Sequence, residues 1–211
     1  MNLSDLLNDV LVDCPGAPEP LIIDALIIAL REFCNRTRFW QQSLSPINLV
    51  AGQAIYPLNP PTNTEIVSVM QARTGHLLVS ASTNDLDRDF PGWRDAQARQ
   101  PVFYFQPSMD SIHVVYKPSE NISNGLSVIA ALRPARNATT MDDEIYREFG
   151  NEIISGAKAH LQLAPNKPWS APDHAAANAL AFSTAINRAR IRVFKSNTRG
   201  PTIAVAPAFG F

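Results

Sequence analysis

The stretch from Leu21 to Gln41 constrains this chain more than any other. Read as a helix, with about 100° per residue, it sets Ile22, Leu26, Ala29, Phe33 and Trp40 on one line. Ile23, Ile27, Leu30 and Cys34 form a second line beside the first. The two lines make an apolar stripe wider than a surface helix usually carries. Asp24, Arg31, Asn35 and Arg38 share the opposite side, while Leu21, Ile28 and Phe39 lie off the main stripe. The helix is therefore expected to touch neighbours on more than one side. Asp24 and Arg31 interrupt the apolar run too early for a membrane span. The pattern fits the central helix of a helical bundle, either as an ordinary core helix or as one also used between subunits.

The flanking sequence supplies partners. Ser4 is placed to cap a short helix carrying Leu6, Leu7, Val10 and Leu11, which Asp13-Cys14-Pro15-Gly16 ends. Pro18-Glu19-Pro20 launches the central helix, with proline where helix starts tolerate it. After Ser43 the apolar period changes to two. Strands are expected at Ile47–Val50, Ala54–Leu58, Glu65–Arg73, Leu77–Val79, Val102–Phe105, Ile112–Tyr116 and Leu126–Ala130, closed by Pro134. Thr74-Gly75-His76 reads as a hairpin turn.

Helical period returns at Thr140, where Thr140 and Asp143 have capping-box spacing. Ile145, Phe149, Ile153, Ala157 and Leu161 should face inward, and Glu144, Glu148, Glu152 and Gln162 outward. His160 falls on the apolar side, and Gly150 and Gly156 there would let another helix come close. Ser170 and Asp173 are placed to cap a last helix with the core seam Phe182, Ile186, Ala189 and Val193.

The fold class is thus α+β. About four helices, from residues 1–43 and 136–195, form a discontinuous helical bundle. Residues 44–135 form an inserted antiparallel β domain, a sandwich or barrel, and residues 196–211 an extended C-terminal tail. The length of 211 residues suits one large domain or two small ones. The 17 prolines gather at residues 15–20, 57–61 and 165–172, which argues for fixed corners and against disorder. The two cysteines make no disulfide framework. The acidic, amphipathic start is unlike a signal peptide, so use without secretory export is expected.

Charge is lopsided although its sum is near zero. The first thirty residues hold Asp5, Asp9, Asp13, Glu19 and Asp24 and no Lys or Arg. From His174 onward there is no acid, while Arg188, Arg190, Arg192, Lys195 and Arg199 all occur. Such asymmetry suggests contact between the two ends, within one chain or between neighbours. Arg188, Arg192, Lys195 and Arg199 align as a basic seam about 120° from the core seam. We expect Arg188, Arg192 and Lys195 to serve a subunit interface.

Motifs for chemistry are sparse. Asp85, Asp87 and Asp89 alternate like the start of a calcium loop, but Phe90 and Ala96 stand where an EF-hand needs Gly and Glu. Glu144, Glu148 and Glu152 share a helix face without a histidine at ligand spacing, which reads as a solvated face. The four histidines are scattered, and no nucleophile elbow, phosphate loop or zinc pattern occurs. No cofactor, metal or catalytic residue is expected. The basic seam leaves open a nucleic-acid-binding module as the alternative function.

Several segments, taken in order, resemble the head-to-tail adaptor (connector) proteins of short-tailed and related bacteriophages, the group that includes the tail tubular protein A type. They are the acidic N-terminal helix, the proline-started helix with Arg31-Glu32-Phe33-Cys34 and Trp40, and Gly52-Gln53-Ala54-Ile55-Tyr56-Pro57-Leu58. Asp85-Leu86-Asp87 before Pro91-Gly92-Trp93, and then Gln100-Pro101-Val102-Phe103-Tyr104, continue the likeness. It runs to about Lys195. The resemblance implies a structural virion protein, a ring of twelve copies in the neck between the capsid portal and the tail. Its partners would be the portal protein, the tail or nozzle protein, further copies of itself and viral DNA passing without sequence specificity, with no membrane.

The segment after Lys195 matches no family motif. Gly200-Pro201 should stop the helix. Beyond Arg199 come Ile203, Val205, Phe209 and Phe211 with no charged residue. Extended, these sixteen residues reach about 50 Å, enough to leave their own subunit. The tail could fold back on its own helices, but Arg199, Ile203, Val205, Phe209 and Phe211 are expected instead to dock on the portal or an adjacent subunit.

Overall fold

A computed structural model describes residues 1–195. The chain opens with a 3-10 turn, Leu3–Leu6, that runs into α1, Leu7–Leu11. Asn2, not Ser4, is the cap: its side chain accepts the Ser4 N–H at 3.2 Å. The central helix is α2, Glu19–Thr37, with Pro20 in its first turn. Arg38 adopts a left-handed conformation (φ 52°) and ends it. Phe39 and Trp40 thus leave the helix, and Trp40 does not continue the line of Ile22, Leu26, Ala29 and Phe33 as its spacing suggested. That line itself is buried.

Two long helices complete this core, α4 at Asp143–Gln162 and α5 at Pro172–Phe194, with a short α3, Thr83–Asp89, between the strands. Asp142, not the Thr140–Asp143 pair, caps α4, accepting the N–H groups of Glu144 and Ile145 at 2.9 and 3.2 Å. No side chain caps α5 at Ala171, so Ser170 and Asp173 do not play that part. Ile145, Phe149, Ile153, Ala157 and Leu161 from α4 meet Phe182, Ile186 and Ala189 from α5 and the α2 stripe in one core.

At Gly156 the three helices crowd together. A Cβ there would lie 3.0 Å from the Phe182 ring and 3.1 Å from the Ala29 Cβ. Gly150 has another role: the ring of Tyr146, one turn back, occupies its Cβ space at 2.8 Å. Burial in the last turn of α4 shifts to Ala159, Leu161 and Gln162, leaving His160 exposed. Gln162, expected outward, is buried because its amide joins three segments. The amide accepts from Asn178 at 3.0 Å and donates to the Asp13 carbonyl at 3.4 Å, while the Gln162 backbone carbonyl takes the Ala171 N–H.

Ten strands lie between α2 and α4. They are β1 (Gln41–Ser43), β2 (Ile47–Leu49), β3 (Ile55–Pro57), β4 (Thr64–Arg73), β5 (Val79–Ser80), β6 (Gln97–Ala98), β7 (Phe103–Ser108), β8 (Ser111–Val115), β9 (Lys117–Pro118) and β10 (Ile122–Pro134). β10 is the spine of the first sheet and pairs antiparallel with β1, β2 and β4. The second sheet runs β3-β8-β7-β5, and β6 and β9 form a third. β5 pairs parallel with β7 and β6 with β9, so the strand region is not wholly antiparallel. The turn at Thr74–His76 makes a single bridge, Arg73 to Leu77, before the chain departs for the second sheet. The whole is mixed α+β, and among the described residues no sheet closes into a barrel.

The strands have their own core, with Tyr56, Ile66, Ile112, Leu126 and Leu132 at its centre. Trp40 packs against both this core and the helical one. A small third cluster, Leu86, Trp93 and Val115, seats α3.

The Gly156 crossing gives a direct stability test. Gly156→Val adds branched carbon where three helices leave no space. We expect a loss of about 2 kcal/mol or more in urea unfolding, larger than the gain in helix propensity over glycine.

Candidate functional site

The rim shared by α4 and α5 carries two ion pairs. Arg188 donates to Glu152 at 2.7 Å, and Arg192 to Glu148 at 2.7 Å. Each guanidinium also lies over a ring, Arg188 at 5.1 Å from the Phe149 centroid and Arg192 at 5.5 Å from that of Phe39. Those rings belong to a trio with Phe33. Phe149 is 4.9 Å from Phe33 and 5.2 Å from Phe39. Two cations of the basic seam are therefore held at the edge of the helical core by their own chain. Glu148 and Glu152 are their partners, not a merely solvated face. Lys195 lies at the C-cap of α5, its N–H donating to the Ile191 carbonyl at 3.1 Å. Arg199, Ile203, Val205, Phe209 and Phe211 lie outside the described residues.

At the opposite end, Asp13 accepts from Lys158 at 2.6 Å. Asp5, Asp9, Glu19 and Asp24 stand exposed. The Asp85, Asp87 and Asp89 series belongs to α3, not to an open loop. Ser82 caps that helix, donating to the Asp85 carboxylate and accepting the Asp85 N–H. Arg88 takes Asp89 and Asp85. Asp87 accepts from Arg94 and from the Trp93 indole at 2.8 Å, and these donors, the arginine first, hold its carboxyl below the usual range.

A cluster missed by periodicity ties α2 to the first sheet. Arg31 donates to Glu65 at 3.0 Å and to the Pro134 carbonyl. Arg133 donates to the same Glu65 oxygen at 2.9 Å and to Asn35 at 3.0 Å. The helical wheel places Arg31 on the polar side but is blind to a strand partner arriving there. The Arg31 hydrogen bond, then that of Arg133, holds the Glu65 carboxyl below its usual range.

Where helices and sheets meet there is an open cleft of about 920 Å³. Phe39, Trp40, Leu77, Val79, Tyr104 and Val193 contribute its apolar surface, and Asp142 and Glu144 sit at its wall. Leu77 and Val79 are half exposed. Among the described residues no group of three or more His, Cys, Asp or Glu is placed to hold a metal ion, and no helix is long and apolar enough to cross a membrane. What the geometry offers is surface: a braced basic rim, a mixed cleft and exposed apolar positions on helices.

A protein-family model described as SU10 adaptor protein matches residues 1–205. The match continues past Lys195 and takes in the first part of the tail, where the sequence alone suggested no family motif. Comparison with curated proteins finds no match.

The Glu65 cluster predicts a pH dependence. A carboxyl depressed in the folded state contributes stability above its unfolded value, about 4.3. That contribution is lost as pH falls through the folded value. Glu65→Gln should cost about 1 kcal/mol at pH 7, discounted for partial exposure. The gap from the unaltered protein should close on acidification, as read by urea unfolding at a series of pH values.

Proposed function

We propose, since the chain belongs to the SU10 adaptor protein family of phage head-to-tail adaptors, that it forms a ring joining the portal to the tail and lining part of the DNA channel. The observation that carries this is the family match over residues 1–205. Membership implies portal and tail proteins as partners, a place in the virion neck and a structural rather than catalytic role. Twelve copies is the number the adaptor resemblance suggests. The helical residues 1–43 and 136–195 form one unit and residues 44–135 an insertion in it.

The rival reading uses the basic face of α5 to bind nucleic acid. It is weakened because Glu152 and Glu148 already neutralise Arg188 and Arg192. Viral DNA instead passes the ring without sequence specificity.

Two surfaces serve assembly in this reading. The basic seam, Arg188, Arg192 and Lys195, meets a neighbouring subunit or the portal. The Arg188 side chain stays 59% exposed beside Glu152. The tail, with Arg199, Ile203, Val205, Phe209 and Phe211, docks on the portal or an adjacent subunit. Its uncharged apolar run after Arg199 is the reason.

Negative-stain images of the protein mixed with its portal test the function. We expect rings seated on portal. A chain ending at Asn197 should stay folded, with an unchanged melting temperature, and lose portal binding. A truncated chain that melts several degrees lower, yet binds whenever folded, would make the tail part of the core.

The seam has its own test. Exchanging charges across one pair, Arg188→Glu with Glu152→Arg, keeps an internal ion pair but inverts the arrangement. The double variant should melt normally and assemble less well, most clearly at low salt. Normal assembly at every salt would leave the pair as internal bracing only.

A further inference from the structure

α5 carries a second seam, on the side away from its core. Leu180, Thr184, Asn187, Ile191 and Phe194 follow one another at alternating steps of four and three. They lie about 180° from Phe182, Ile186 and Ala189. Leu180 is 68% exposed, Ile191 59% and Phe194 82%. Single exposed leucines are common, but Leu180, Ile191 and Phe194 on one seam, with Thr184 and Asn187 between them, make a largely exposed face. Its charge is of one sign. Arg190 borders it and has no ion-pair partner among the described residues. Arg38 lines the same groove as Arg190, Ile191 and Phe194.

The complement stands on α1 and the turn before it. Asp5, Asp9 and Val12 follow at steps of four and three, all exposed, with Val12 at 79%. Asp5 and Asp9 have no ion-pair partner among the described residues, in contrast to Asp13, which Lys158 engages. No Lys or Arg occurs in the first thirty residues to neutralise this face. α1 packs on α2 and α4, and so does α5, with no more than marginal contact between α1 and α5. The α2–α4 pair thus packs between them, and among the described residues no ion pair joins the two faces.

We infer that the outward seam of α5 in one copy packs on the acidic face of α1 in the next, with Arg190 directed at Asp5 and Asp9. The occupant is a second copy because the charge complement of the α5 face, Asp5 and Asp9 beside the exposed Val12, is found on this same molecule. A contact between two different faces is heterologous, so it propagates around a ring instead of stopping at a dimer. The inference rests on the ring reading above and names its surfaces. Arg188 and Arg192 of the basic seam also pair within their own chain; Arg190, two positions from each, lies on another side of α5 and borders the outward seam.

The test uses the full chain in two forms. Ile191→Asp with Phe194→Asp disables the α5 face, and Asp5→Lys with Asp9→Lys disables the α1 face. All four positions are exposed, so both forms should melt close to the unaltered protein. Mass photometry and sedimentation, with and without portal, should show that neither form alone builds rings. Mixed in equal amounts they should give one-to-one pairs and nothing larger, since each retains the face that the other lacks. Arg190→Glu is the milder variant and should raise the apparent dissociation constant about tenfold or more at low salt.

Rings formed by either form alone, or a mixture that stays monomeric, would overturn the assignment while leaving the ring reading intact. An unaltered protein that stays monomeric with and without portal would overturn both. An α5-face variant that assembles on itself but no longer binds portal would give that face to the portal instead.

Discussion

Arg31 reaches out of the central helix to a carboxylate that it shares with Arg133, and that junction fixes how helices and sheets stand to one another. Glu65 comes from β4, Arg133 and the Pro134 carbonyl from the end of β10, and Asn35 from α2 itself. The Arg31 side chain is only 15% exposed. Its charge is tolerable there because both terminal nitrogens have acceptors, Nη1 in Glu65 and the Pro134 carbonyl and Nη2 in Glu65. Removing the carboxylate leaves two guanidinium groups facing each other, so the cluster works as a unit. Trp40 supports the same joint from the apolar side, packed on both cores. The surfaces on α5 and α1 therefore have a defined orientation to the strand region.

Much of the helical half was legible because its period is strong. Ile22, Leu26, Ala29 and Phe33 on α2, and Ile145 to Leu161 on α4, are buried as their spacing requires. Failures came where a local residue overrode the period. Arg38 turns left-handed and takes Trp40 off the helix. The side-chain amide of Gln162 found two partners, the Asp13 carbonyl and Asn178, that no wheel can show. α3 escaped because it buries one side chain, Leu86, and its alternating aspartates imitate a loop. The parallel pairing of β5 with β7 depends on where a distant strand lies, which a period of two does not encode.

The charges show the same division between what a sequence displays and what a fold decides. Acid at one end and base at the other were plain. Which of them pair was not: Arg188 and Arg192 reach Glu152 and Glu148 on α4, while Arg190 lines a groove with Arg38. About 160° of helix lies between Arg190 and either braced arginine. The rings of Phe39 and Phe149 help decide it, since a guanidinium over a ring face keeps part of its attraction when a carboxylate lets go.

The order in which α2 acquires its neighbours has a consequence for synthesis. Its apolar stripe emerges early, yet Phe149, Ile153 and Phe182, which cover it, follow roughly a hundred residues or more later on the ribosome. β1 likewise waits for β10. Contacts of such sequence separation make folding slow and leave α2 uncovered in the nascent chain. The chain is thus made with its central helix in need of shelter, and the α4–α5 hairpin, among the last parts to appear, completes the helical core.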